Sequence, residues 1–380
     1  MKNRNAKGGG SVRQREDGTW EARCTINGKR RSFYGKKQSE ALKAMRSALS
    51  AADEGKYIEP SKMTVEQWIT VWLEEYIKPS AKPLTYATYS SKARTHILPA
   101  LGNIKLSALD PTMVQTFYND LLRKKGLAPK SISATHGVLH KALQHAVELR
   151  YINNNVTDAC KTPRVTRKEI KPLSDEEIEA FLIAIEGNKY KDMFMVALFA
   201  GMRENEICGL PWDAVDFQKN TITVKQQLYN DKAKGASYYI STTKHDKIRI
   251  LTAPQFVMDI LKNTKIKQLQ AHMNCFGTWQ NEYNLVFTDE CGKYTVPQTL
   301  YKNFKKVATT IGRPDARFHD LRHTYAVTSL QEGDDIKTLQ QNLGHATAAF
   351  TLDVYGHVSE KMKKDSADRM ERFYNKVKKQ

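Results

Sequence analysis

At 380 residues the chain has room for two or three domains, and 60 Lys+Arg against 41 Asp+Glu leave a formal net charge of +19, which points to nucleic acid or another anionic surface as partner. The longest apolar run, Met193–Met202, is far too short to cross a bilayer, and the basic opening MKNRNAKGGG lacks the apolar core of a signal peptide. Five widely spaced cysteines, Cys24, Cys160, Cys208, Cys275 and Cys291, form no C-x-x-C pair, which argues against a disulfide framework or structural zinc finger and for a reducing, cytoplasmic setting.

The first segment, residues 1–60, concentrates the charge: its first 37 residues hold eleven Lys/Arg and three Asp/Glu. Asn27-Gly28 between TWEARCTI and KRRSFY is a two-residue hairpin signal, and Glu16-Asp17-Gly18 marks a turn one strand earlier, so a three-stranded meander is expected. Trp20, Ala22, Cys24 and Ile26 alternate with Glu21, Arg23 and Thr25, giving one face that packs and one that is polar and partly basic. Ser39 is expected to cap a helix carrying Ala41, Leu42, Met45, Ala48, Leu49 and Ala52 on its apolar side. The sheet then buries its apolar face on that helix. Its other face either lies in a DNA groove, as β-ribbon readers do, or belongs to a small basic domain with no partner.

The second segment, 62–158, reads as all-helical. Thr64 precedes Val65, Trp68, Ile69, Val71, Trp72 and Leu73. A later run of Ala134, Val138, Leu139, Ala142, Leu143, Ala146 and Val147 repeats at helical spacing, bordered by Lys130, Lys141, His136, His140 and His145. Trp68 and Trp72 read as core rather than as platforms for stacked bases. Residues 159–172 are polar and basic with two prolines and read as a linker. The third segment, 173–380, opens on a capping box, Ser174 with Glu177, and a hydrophobic staple, Leu173 with Ile178. A helix over Asp192–Phe199 runs into AGMRENEICGL. Strands are expected at 221–226, 237–243 and 247–251. Ile336, Leu339 and Leu343 form a helical stripe closed by Gly344 as C-cap, and a charged terminal helix carries Ala367, Met370, Phe373 and Val377.

The stretch FHDLRHTYAV (318–327) admits three readings. His319 and His323, four apart on a helix, share a face suited to a metal, His319 and Arg322 share one suited to an anion, and a buried helix with satisfied polar groups is the plain alternative. The metal reading needs a third ligand, has Asp320 where a glutamate is wanted, and sets Arg322 beside a dication. Five further positions bear on the choice: Arg203 after AGM, Lys244 in STTKHDKIR at the turn between two strands, Arg322 itself, His345 in LGH, and Tyr355 in LDVYGHV. Each has an ordinary explanation alone; Arg203, for one, can simply pair with Glu206.

In this order, however, the set resembles the tyrosine recombinase (phage-type integrase) family. The signature Arg…Lys…HxxR…[His/Trp]…Tyr is filled at every position, with GMRxxE, HDLRHT and LGH as local contexts and a tyrosine ten residues after the last histidine. The layout resembles arm-type integrases of phages and conjugative transposons. The resemblance implies a multidomain tyrosine recombinase fold: a sheet-plus-helix arm-binding domain (1–60), an all-α core-binding domain (62–158), the linker, and a mainly α catalytic domain with a small antiparallel sheet (173–380). It implies cleavage of double-stranded DNA by Tyr355 through a 3′-phosphotyrosyl intermediate and a Holliday junction. Arg203 and Arg322 would grip the phosphate with His319 and His345 as further donors, His319 would be the candidate general base, and Lys244, on a hairpin, the general acid. His323 is left structural. No metal or cofactor is called for, because the covalent link conserves the bond energy. Expected partners are core and arm DNA sites, three further copies in a tetramer, and accessory DNA-bending and excision proteins, in a nucleoid-associated setting without membrane. The terminal helix either docks on a neighbouring copy or stays solvated. A type IB topoisomerase or a catalytically silent DNA-binding regulator is the alternative function.

Overall fold

A computed structural model of the chain describes residues 10–55, 57–59, 61–166, 170–231, 237–242, 248–275, 277–344 and 360–378. The chain divides into two compact units, residues 1–166 and 167–380. None of the described helices is long and apolar enough to cross a membrane.

The first unit opens with the expected meander. Strands β1 (Ser11–Gln14), β2 (Trp20–Ile26) and β3 (Lys29–Gly35) pair antiparallel in the order β1-β2-β3. The β2–β3 turn places Asn27 and Gly28 at φ of 50° and 76°, the paired left-handed conformation that a two-residue hairpin matching the strand twist requires. Ala22, Cys24 and Ile26 are buried against Ala41 and Met45 of helix α1 (Gln38–Asp53). The helix starts two residues earlier than Ser39 would place it: Lys37 is the cap position, and the Glu40 carboxylate accepts from the backbone N–H of Lys36 (2.9 Å) and Lys37 (3.3 Å). A glutamate reaching back to the orphan N–H groups makes a serine at the cap unnecessary.

The rest of this unit is helical. Helix α2 (Val65–Val71) begins at Thr64, whose side chain accepts from Gln67 N while Gln67 returns a bond to Thr64 N. Helices α3 (Pro83–Lys92), α4 (Pro111–Arg123) and α5 (Pro129–Glu148) complete the core around Trp68, Trp72, Tyr118 and Leu139. Both tryptophans are buried, and Trp68 Nε1 donates to the Ala142 carbonyl at 2.8 Å, so they are core side chains. Ala134 is exposed, contrary to the periodic reading. The buried stripe of α5 runs through Ile132, Thr135, Leu139, Ala142 and Ala146, and Ala134 falls about a third of a turn off its centre.

The second unit begins with helix α6 (Asp175–Ala184), capped by Ser174 and Glu177. Helix α7 (Lys191–Ala200) follows, then the short α8 (Glu204–Cys208). Strands β4 (Val215–Asp216), β5 (Thr221–Val224) and β8 (Arg249–Thr252) form one antiparallel sheet, while β6 (Gln226–Asp231) and β7 (Ser237–Thr242) form a separate hairpin. The expected strand over 221–226 is thus broken at Lys225, which leaves the ladder to pair with Asp213 at 2.8 Å. Nor are β7 and β8 partners of each other: β7 pairs with β6 and β8 with β5. Lys244, expected at the turn between two strands, falls in residues 243–247, which lie outside the described residues.

Helices α9 (Gln255–Asn274), α10 (Pro297–Thr310), α11 (Phe318–Gln331) and α12 (Ile336–Leu343) follow, α12 packing against β8, and α13 (Glu360–Lys378) comes last with Met370, Phe373 and Val377 exposed. Four rings fix α11: Phe181 of α6, Phe194 of α7, Phe304 of α10 and Phe318 lie with neighbouring centroids 5.6 to 6.2 Å apart, mostly edge to face. Phe318 sits immediately before His319, so this cluster sets where the first turn of α11 begins. Phe304→Ala should therefore lower stability by about 3–5 kcal/mol, read as a shifted urea midpoint; an unshifted midpoint would show that the cluster does not anchor the helix.

Candidate active site

The residues that converge gather around two helix ends, those of α7 and α12. Helix α7 ends at Gly201, which adopts φ +60°. A Cβ there would meet the Tyr325 ring of α11 at 2.4 Å, so both the conformation and the space demand glycine. The chain then turns extended through Met202 and Arg203, and Arg203 is the cap residue of α8. Its backbone N–H donates to Glu206 Oε2 at 2.9 Å and its Nη1 to Glu206 Oε1 at 2.7 Å. The pairing of Arg203 with Glu206 that the sequence allows is present, and it is not the whole of the carboxylate's work.

Glu206 is buried and also receives both ends of Arg249 from β8, Nη1 to Oε1 at 2.9 Å and Nη2 to Oε2 at 2.6 Å. This is a bidentate fork between two dehydrated groups, the strongest class of charged hydrogen bond. Burial pushes the Glu206 carboxyl up, but bonding to Arg249 and the fields of Arg249, Arg203 and Arg322 overcome it and hold the group down at about 2. Arg249 Nε reaches on to the Asn342 carbonyl at 2.8 Å. Arg249 has no place in the sequence reading. Its signal is an arginine within a short strand, downstream of a glutamate in GMRxxE, and pairing across 43 positions is not visible in either stretch alone.

Arg322, on α11, is only 1% exposed. Its Nη1 donates to the Gly201 carbonyl at 2.7 Å and its Nη2 to the Leu343 carbonyl at the end of α12. Both acceptors are last-turn carbonyls of helices, which carry partial negative charge and suit a cation. Helix α12 stops at Gly344, φ +63°, where a Cβ would press on Arg249 Cδ at 2.8 Å. The two glycines of AGM and LGH thus seat the two buried arginines.

His319 stands in the first turn of α11, its outer edge exposed, its ring 4.7 Å from that of His323 at 88°. Partial burial of the ring, and then repulsion from His323, Arg322 and Arg203, hold its imidazole well below the ordinary value, which favours the neutral form at pH 7. His323 is buried and likewise pushed down, to about 4, chiefly by burial. Asp320 closes the same turn, accepting from Arg317 N at 2.8 Å and Arg317 Nη2 at 2.8 Å. Among the described residues no group of three His, Cys, Asp or Glu is arranged to hold a metal. Of the six positions singled out in the sequence, Arg203, His319 and Arg322 are therefore brought together. Lys244, His345 and Tyr355 lie outside the described residues.

Comparison with known proteins decides the family. Residues 171–362, just over half of the chain, match the phage integrase family, and residues 64–122 match the N-terminal SAM-like domain of phage integrases. The chain is 30% identical over 363 residues to a XerC-like tyrosine recombinase of Caldanaerobacter subterraneus subsp. tengcongensis, covering 90% of this chain and 92% of that one. The chain belongs to the phage integrase family of tyrosine recombinases. Like other members it is a site-specific DNA recombinase, which cleaves and rejoins DNA, and the topoisomerase and silent-regulator alternatives are not supported. The recombinase is also 25% identical to the ICEBs1 integrase of Bacillus subtilis over 262 residues, 67% of this chain and 69% of that one. In fold it resembles the Tn1549 transposon integrase solved with circular intermediate DNA (TM-score 0.69, 20% identity, 81% of this chain and 100% of that one). It also resembles lambda integrase bound as a dimer to a core site (TM-score 0.58, 16% identity, 95% and 99%).

Replacing Glu206 by Gln keeps its shape and leaves the guanidiniums without a countercharge, which should cost about 3–5 kcal/mol at neutral pH. The wild-type contribution is fully present above the ordinary carboxylate value of 4.5 and is lost as pH falls through about 2. Urea unfolding at pH 7 and pH 3 should show the variant's deficit shrinking at the lower pH; an equal deficit at both would refute the electrostatic account.

Proposed function

We propose that this recombinase integrates or excises a mobile element by attacking one DNA strand with Tyr355, and that Arg203, Arg322, His319, His345 and Lys244 complete the site. The observation that carries the reading is the gathering of Arg203, Arg322 and His319 from stretches over a hundred positions apart into one cationic neighbourhood. As phosphorus becomes five-coordinate, negative charge grows on the non-bridging oxygens. A planar cation that never loses its proton is the group to meet it. Arg203 is half-exposed and reaches an incoming phosphate directly. Arg322 is buried, so its contact with phosphate requires a shift that uncovers its guanidinium.

His319, neutral in the free protein, is in the protonation state a general base needs, and a bound phosphate would raise its proton affinity by offsetting the arginines. Free tyrosine ionises near pH 10, so only about one such group in a thousand is charged at pH 7, and a tyrosine nucleophile calls for such help. Lys244 would protonate the departing 5′ oxygen, and His345 would add a donor to the phosphate. Tyr355→Phe should bind duplex DNA normally yet form no covalent adduct on nicked duplexes cut from the DNA flanking the recombinase gene. An adduct surviving a denaturing gel would exclude Tyr355 as nucleophile.

For the whole chain we propose four protomers on two duplexes, as lambda integrase is seen on a Holliday junction. Residues 62–158 would hold the core site, 173–380 would do the chemistry, and 159–172 would link them. The basic meander of residues 1–60 would bind separate arm sites, with DNA-bending and excision proteins setting direction. Deleting residues 1–60 should leave core-site cleavage intact while abolishing arm-site retention, and affinity should fall with log salt at about −0.9 per phosphate contacted. Equal arm-site retention by the truncated chain would remove that assignment.

A further inference from the structure

The open face of the meander holds an acidic residue where a DNA-binding surface should least tolerate one. Glu21 points away from α1, near the start of the central strand β2, yet it is only 2% exposed. The register sets Arg13 and Tyr34 on either side of it, and Ser11, Arg23 and Ser32 form the next row. Arg13 Nε meets Glu21 Oε2 at 2.9 Å, Arg23 Nε lies 2.8 Å from Oε1, and the Tyr34 hydroxyl donates to Oε1 at 3.3 Å. Arg15 stacks its guanidinium 5.5 Å above the Tyr34 ring. Bonding to Arg23 lowers the Glu21 carboxyl most, against the effect of burial and with help from Arg13 and Ser32, so it stays charged to about 2.

We propose that Glu21 is a positioning residue for sequence reading, fixing Arg13 and Arg23 so that they address guanine in the major groove of duplex DNA. This rests on the arm-binding reading of residues 1–60 and names what that surface would recognise. Arg13 holds the carboxylate by an Nε hydrogen bond and Arg23 lies against it as a close ion pair at Nε, so the terminal Nη1–Nη2 edge of each guanidinium can face a second pair of acceptors. Guanine offers such a pair, O6 and N7, on its major-groove edge. An unanchored arginine on a sheet surface would have to give up its rotamer freedom on binding, whereas one held at Nε has largely done so already. Glu21 itself is too covered by its neighbours to touch a base, and its charge opposes phosphate. Its value lies in direction, bought at some expense of raw affinity.

The test uses the full-length chain and a pool of duplexes with a randomised 20-base-pair centre. Bound sequences are recovered for the wild type, Glu21→Gln, Arg23→Lys and an Arg13→Ala/Arg23→Ala double variant. A guanine-containing motif should be enriched by the wild type and absent with the double variant. Glu21→Gln should still bind DNA, at equal or higher affinity for unselected sequence because a negative charge is gone. Its preference for the motif over unselected duplex should fall about tenfold or more. Arg23→Lys, which leaves Glu21 and the sheet in place, should lose the same preference while keeping its salt dependence. A merely structural Glu21 predicts the opposite pattern: affinity for all sequences falling together, with preference unchanged. Retention of the guanine motif by Glu21→Gln or Arg23→Lys overturns the inference. If no motif depends on Arg13 and Arg23 even in the wild type, the arm-binding reading fails first and takes the inference with it.

Discussion

One buried carboxylate makes the arginine cluster possible. Arg203, Arg249 and Arg322 are like charges that would repel one another in a dehydrated interior, and Glu206 is the counterion all three share. Removing charges from water costs several kcal/mol each, so such a group is stable only where geometry is close to ideal and every remaining proton finds an acceptor. Here the fork to Arg249 supplies the first condition. The carbonyls of Gly201, Leu343 and Asn342 go far towards the second. What results is a cationic centre with an excess of positive charge, its guanidiniums oriented by the carboxylate and the carbonyls. Under the function proposed above, charge oriented in advance would act on a transition state without reorganising first.

The same arrangement explains why three distant sequence blocks behave as one device. Helix α7 ends where its final carbonyl can face Arg322, α12 ends where its own can do likewise, and α11 carries the guanidinium between them. The phenylalanine cluster beneath Phe318 fixes α11 against α6, α7 and α10, so the histidine that follows and the arginine one turn on are delivered by apolar packing rather than by polar contacts alone. The placing of His319 and Arg322 thus rests on ordinary hydrophobic core below them.

What could be read from the sequence was whatever depends on neighbours in the chain. Asn27-Gly28 specifies its turn by conformation, Thr64 and Ser174 specify helix starts by bonds spanning three residues, and Gly344 specifies a helix end. The ordered set of Arg203, His319 and Arg322 was legible as a pattern of types. Features set by remote partners were not. Arg249 resembles any strand arginine until Glu206 is placed beside it, and Arg322 gives no hint that it turns inward, because its acceptors lie 121 and 21 positions away. Strand β6 has the polar sequence QQLYND and is defined by pairing with β7, so no periodicity announced it. Ser39 misled because it is a good cap residue beside a better-placed glutamate, and Ala134 because alanine suits either side of a helix.

Gly201 also bears on how this protein can be altered. Its left-handed backbone and the aromatic wall of Tyr325 close that position to every side chain, while its carbonyl grips the buried guanidinium. Directed-evolution libraries aimed at retargeting the enzyme would waste every clone randomised at 201. The diversity worth sampling lies out on the exposed rims, where a change of contact can be made without unseating the machinery behind it.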